Sequence, residues 1–165
     1  MLHRALFPTL ALTFAVVSTS VAAPISRSLA KWPPWISIES PVNPFDNSAR
    51  GAAFLIHAMV REGTPTVSDV IVTAEGLVGG VRKTVAIHID TTSRPAVFAV
   101  RKQWPTDGTW LLRVSLFSTT AIVTLDKAGN VLRTSIPTVA QSGMQIPRTV
   151  APREIDALLA DAAKR

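Results

Sequence analysis

Residues 109–116 read Thr109-Trp110-Leu111-Leu112-Arg113-Val114-Ser115-Leu116. Successive side chains of a strand point to opposite faces of a sheet. Trp110, Leu112, Val114 and Leu116 therefore share one face, and Thr109, Leu111, Arg113 and Ser115 the other. A period of two over eight residues marks a half-buried strand. Pro105-Thr106-Asp107-Gly108 precedes it as a turn.

The same pattern extends in both directions. Downstream, residues 120–125 and 131–136 are β-rich and are joined by Asp126-Lys127-Ala128-Gly129-Asn130. Gly129 is available there for a positive φ, which makes this the strongest hairpin signal of the chain. Upstream, residues 97–102 place Phe98 and Val100 inward. Residues 83–90 set Val85, Ile87 and Ile89 against Thr84, Ala86, His88 and Asp90. Residues 70–75 form a run broken by Gly76 and again by Gly79-Gly80, which reads as a hairpin-type connection. Residues 52–60 are apolar on both faces, as in a central strand. Residues 35–40 put Ile36 and Ile38 on one face and Trp35, Ser37 and Glu39 on the other, after an entry that Pro33-Pro34 keeps extended. Eight candidate strands at this spacing predict an all-β sandwich of about seven or eight strands.

After Pro137 the periodicity stops. Residues 138–151 read as a linker or a strap. Pro152 then opens residues 152–165, where Ile155, Leu158, Leu159 and Ala162 give helical spacing. A short amphipathic C-terminal helix is expected, with Pro in its first turn.

At the other end, residues 1–23 have the order of a secretory signal. His3 and Arg4 precede an apolar, uncharged stretch over residues 5–17, and Val21-Ala22-Ala23 supplies small residues for cleavage. The stretch is shorter than the roughly 20 apolar residues of a membrane span. Domain organisation is thus expected as signal 1–23, lead-in 24–34, sandwich 35–137, linker 138–151 and helical tail 152–165. Localisation is expected to be periplasmic or secreted, in a bacterial envelope, with no transmembrane span after cleavage. Arg4 leaves with the signal, so the 17 basic residues become 16 against 11 acidic ones. There is no Cys. That removes disulfide staples, thiol catalysis, Cys-ligated zinc and iron–sulfur centres.

Pro95-Ala96-Val97-Phe98-Ala99-Val100 followed by Gly108-Thr109-Trp110 resembles a segment of small exported immunoglobulin-like domains, the YtkA/FixH-like group. That pattern is a Pro-Gly-x-Tyr strand and then Gly-x-Trp opening the next one. Ala96 stands here for the Gly and Phe98 for the Tyr. The resemblance runs from Pro95 to Val114, about 20 residues, and is one of packing, since fold alone carries no chemistry. It implies an immunoglobulin-like sandwich in the envelope, and by analogy a metal-handling or accessory role.

Few side chains point to chemistry. His57 and Met59 share a strand face and His88 lies on another strand, which are copper-type ligands if they converge. The plainer reading places His57 and Met59 in packing and His88 on the surface, and no cofactor is expected. Asp46, Asp69, Asp107 and Asp126 sit in turns, and Glu75 and Asp90 at strand ends, so no acid–base pair is indicated. Gln141-Ser142-Gly143 is not a nucleophile motif, and Gly76 to Gly80 lacks the residues of a phosphate loop. Basic residues are scattered, which argues against nucleic acid. Trp35 and Trp104 are the candidate contact surface, and Trp110 belongs to the core. The expected function is a non-catalytic binding or accessory module meeting another envelope protein or an extracellular ligand. The alternatives are a periplasmic copper-handling domain and, behind it, a carbohydrate-binding or hydrolytic domain.

Overall fold

The computed structural model describes residues 32–164. The expected signal segment 1–23 and most of the expected lead-in 24–34 lie outside the described residues. Among the described residues no helix is long and apolar enough to cross a membrane.

The chain forms an all-β sandwich. A four-stranded sheet contains β1 (Trp35–Glu39), β2 (Phe54–Met59), β5 (Ile89–Thr91) and β6 (Val97–Val100), in the order β1-β2-β6-β5. A five-stranded sheet contains β3 (Val70–Val78), β4 (Val81–Ile87), β7 (Thr109–Leu116), β8 (Thr119–Leu125) and β9 (Val131–Ser135), in the order β4-β3-β7-β8-β9. The pairings within both sheets are antiparallel. A separate hairpin, β10 (Thr138–Gln141) with β11 (Met144–Pro147), leads to helix α1 (Pro152–Ala162).

The facing sides of the two sheets build the main core. Ile36, Phe54, Ile56, Phe98 and Val100 meet Val72, Trp110, Leu112, Val114, Ala121 and Val123. These are the inward positions of the alternating runs, and each large side chain removed from water contributes roughly 1.5–3 kcal/mol.

Eleven strands appear where eight were expected, for two local reasons. The run over 83–90 is two strands, because the chain leaves the five-stranded sheet at His88 and enters the four-stranded one. Val85, Ile87 and Ile89 nevertheless all turn inward. The stretch 138–147 is a hairpin, not a linker. Ser142 and Gly143 have φ of 50° and 78°, the pair of positive values that a tight two-residue hairpin turn requires.

Glycine 76 interrupts nothing. Strand β3 runs through it to Val78, and Gly76 is the register partner of Trp110. The indole lies across the bare backbone, where a Cβ would come 2.4 Å from Cε3. Trp110 Nε1 donates to the Asp107 carbonyl at 2.6 Å, fixing the ring in place. Glu75 accordingly lies inside a strand and not at its end.

Each outer face of the sandwich has its own cover. Leu111 and Ile122 face outward from the five-stranded sheet, and Val150, Ile155 and Leu159 bury them. The helical tail is therefore docked on the domain. On the four-stranded sheet, Leu55, Val97 and Ala99 are covered by Ala49, with Val42 and Ala52 packed alongside.

Candidate contact surface

The outer face of the four-stranded sheet carries most of the residues singled out in the sequence. Register places Trp35 opposite Met59, Ser37 opposite His57 and Glu39 opposite Leu55. His57 in turn faces Val97, and Leu55 faces Ala99. Loop 41–53 covers the Leu55 end of this face. The Trp35 end is left bare: Trp35 is 43% exposed, Met59 47% and Trp32 77%.

A polar network separates the covered part from the bare part. His57 Nε2 donates to Glu39 Oε2 at 2.8 Å. Arg94 bridges two carboxylates, Asp46 at 3.1 Å and Glu39 at 3.5 Å, the latter at the limit of a hydrogen bond. Asp46 Oδ1 also accepts from the Ser48 hydroxyl at 2.6 Å and from its N–H at 3.0 Å. The hydrogen bond from His57 and the Arg94 charge hold the Glu39 carboxyl below its ordinary value, against the opposing effect of burial. The bonds from Ser48, with Arg94 adding to them, lower that of Asp46. Two carboxylates kept ionised in this way make a poor general acid, which must hold its proton near neutral pH.

Glu75 is a third carboxylate of note, buried on the outer face of the five-stranded sheet. Thr84 and Thr73 hydroxyls donate to it at 2.7 and 3.2 Å, and Arg82 and Arg113 lie at 3.1 and 3.4 Å. Arg82 reaches on to Asp156 of α1 at 2.7 Å. Every oxygen of Glu75 is engaged, as a buried charge requires, so this group serves to tie sheet to helix.

The copper-type ligands do not come together. His57 is bound to Glu39, while His88 sits at the sheet-to-sheet corner, 3.5 Å from Asp90. His57 pairs with Val97 and Ile89 with Val100, two strands away. Three residues along and two strands across are on the order of 10 Å each. Among the described residues no group of three or more His, Cys, Asp or Glu could hold a metal ion.

The candidate contact residues separate. Trp35 is exposed as parity predicted, but Trp104 is not a surface residue. It is 4% exposed, packed in the main core, and its Nε1 donates to the Gly129 carbonyl at 3.2 Å. The hairpin loop 126–130 folds over it, a contact that no local pattern announces.

Residues missed in the sequence complete the surface. The Thr119 hydroxyl donates to the Pro34 carbonyl, which brings the β7–β8 turn beside the start of β1. That turn presents Phe117, 62% exposed at a φ of 50°. Val70 pairs with Leu116, so Ile71, 60% exposed, lies at the same end. Trp32, Trp35, Met59 and Phe117 thus lie at one end of the sandwich, with Ile71 at the same end but on the opposite outer face. Parity could have located Ile71, and a bulky apolar residue in a two-residue turn could have flagged Phe117.

A shallow open groove of about 600 Å³ also runs between Ile38, Val42 and Ala53 and the edge strand β9 at Val131 to Thr134. Comparison with protein-family models, with curated proteins and with solved structures gives no match.

Proposed function

We propose that this chain is an exported, non-catalytic binding or accessory module of the cell envelope, with an immunoglobulin-like sandwich as its scaffold. The observation that carries the reading is the exposure of Trp32, Trp35, Met59 and Phe117 at one end of the sandwich, while α1 and loop 41–53 cover apolar side chains elsewhere on both outer faces. Exposed aromatic and Met side chains grouped in this way mark contact surfaces. The lowered carboxyls of Glu39 and Asp46, and the full hydrogen bonding of Glu75, support a role without acid–base chemistry.

Two observations support the immunoglobulin-like scaffold. The sheet orders β1-β2-β6-β5 and β4-β3-β7-β8 follow the A-B-E-D and C′-C-F-G orders of that fold, with β9 added at the edge. Ala96 has a φ of 56°, a backbone conformation that glycine takes without strain, and it stands where the YtkA/FixH-like pattern carries Gly.

A photo-crosslinking side chain placed at position 59 in the producing cell tests the contact surface. Position 81, the first residue of β4 and 62% exposed, is the control. An adduct to an envelope component from 59 and none from 81 is expected. Equal labelling from both positions, or none from 59, overturns the reading.

A further inference from the structure

We infer that the free edge of β9 takes up an extended peptide segment of a partner protein as an added strand, with an acidic residue of that segment opposite Arg133 and its flanking apolar residues in the groove beside Ile38. This is a second surface, at the other end of β1 from Trp35. Three observations converge on it.

The first is an unpaired edge. Strand β9 pairs with β8 on one side, and among the described residues no strand pairs with the other. Alternate residues of an edge strand direct N–H and C=O away from the sheet, where an extended chain can bond them. The other edges are less open. Strand β5 is three residues long, the Pro34 carbonyl beside β1 is taken by Thr119, and Arg82 of β4 is bound to Glu75 and Asp156.

The second is the space beside that edge. Strand β1 ends the four-stranded sheet and packs against β8. The five-stranded sheet runs one strand further, so the inward side of β9 has no strand over it. Val131 and Thr134 are register partners of Leu125 and Val123 and share their inward side. They form one wall of the groove of about 600 Å³, and Ile38, Val42 and Ala53 form the other. A strand added to β9 sends every second side chain into this space.

The third is charge. Arg133 is the one charged residue of the groove lining and makes no ion pair among the described residues. As the register partner of Thr124 it lies on the outward side of the strand. Of the acids on flanking segments, Asp126 is taken by Asn130, and Glu39 by His57 and Arg94. Side chains directly opposite on paired strands attract when their charges differ and repel when alike. A second copy of this chain is therefore a poor occupant. Arg133 is the middle of the five residues of β9, so pairing β9 with its copy about a two-fold axis centred there sets Arg133 against Arg133. The segment that fits reads apolar, acidic, apolar.

The test uses the protein as processed by the producing cell, isotopically labelled and titrated by NMR. The probes are the acetylated, amidated peptide Ser-Thr-Val-Glu-Val-Thr-Ser and the same peptide with Lys in place of Glu. Shifts are expected at residues 131–135 and 38–42, with the Glu peptide bound about fivefold more tightly. Arg133→Glu should reverse that order, and its amide spectrum shows that it is folded. If it fails to fold, Arg133→Gln replaces it and should bring the two peptides level. N-methylation of alternate peptide amides should abolish binding in one parity and leave it in the other, because only one set faces β9. No shift at 131–135 with millimolar Glu peptide overturns the proposal. Equal binding of the two peptides by the wild type, an unchanged order in Arg133→Glu, or binding retained by both N-methylated forms does the same. Self-association of the free protein through residues 131–135, seen as shifts that depend on its concentration, also overturns it. Each of these outcomes leaves the crosslinking result at position 59 untouched.

Discussion

Replacing Gly76 by Ala tests whether Trp110 is packed as described. Gly76 is in extended backbone within β3, so alanine meets no conformational obstacle there. The obstacle is steric. The new methyl would lie 2.4 Å from Cε3 and 2.6 Å from Cδ2 and Cζ3 of Trp110. The ring cannot withdraw easily, being 4% exposed and tethered to the Asp107 carbonyl. Overpacking of this kind costs about 2–3 kcal/mol. Loss of glycine's freedom in the unfolded chain returns about 0.5–1 kcal/mol. A net destabilisation of about 2 kcal/mol follows, or a Tm lower by roughly 6–8 °C for a domain of this size. Urea unfolding followed by tryptophan fluorescence measures it. Trp110→Leu supplies the second arm of a double-mutant cycle. With the indole gone, Gly76→Ala should become neutral or slightly stabilising. A neutral Gly76→Ala in the wild type, or the same cost in both backgrounds, would refute the reasoning.

Two further predictions follow from backbone and charge. Ala96→Gly should stabilise by about 0.5–1 kcal/mol, because relief of a left-handed alanine outweighs the added freedom of the unfolded chain; an unchanged or lower urea midpoint contradicts this. Glu154 accepts two bonds from Arg148 and one from the Ala151 N–H, and these bring its pKa down from 4.5 to about 2. A depressed carboxyl stabilises fully above its unfolded value and loses that contribution as pH falls through the folded one. The Tm difference between wild type and Glu154→Gln should therefore be present at neutral pH and vanish near pH 2.

Alternation made much of the sandwich legible. Trp110, Leu112, Val114 and Leu116 are inward, Trp35 is outward, and the Asp126–Asn130 connection is a hairpin loop, with Asp126 Oδ1 accepting from the Asn130 N–H at 2.8 Å. Helical spacing located α1, but not where it docks: the cover it gives Leu111 and Ile122 emerges only from the folded structure. The misses share a cause: the deciding partner is distant in sequence. Trp104 is buried by Gly129, and Arg94 meets Glu39 from the far side of two strands. Gly76 looked like a break because the indole that needs its bare backbone lies 34 positions away in the sequence. The hairpin at 138–147 was hidden differently. Its strands are exposed on nearly every side, so no alternation develops, and only Ser142-Gly143 signals the turn.

The docking of α1 bears on how the chain is completed. A polypeptide is made from its N-terminus, so β7 and β8 are available to pair long before residues 150–159 exist. Until those arrive, Leu111 and Ile122 form a greasy spot on the finished sheet. A chain cut short before Val150 would carry that spot permanently. Helix α1 thus acts as a seal on the sheet, and products truncated before it present the kind of exposed apolar surface that chaperones and proteases engage.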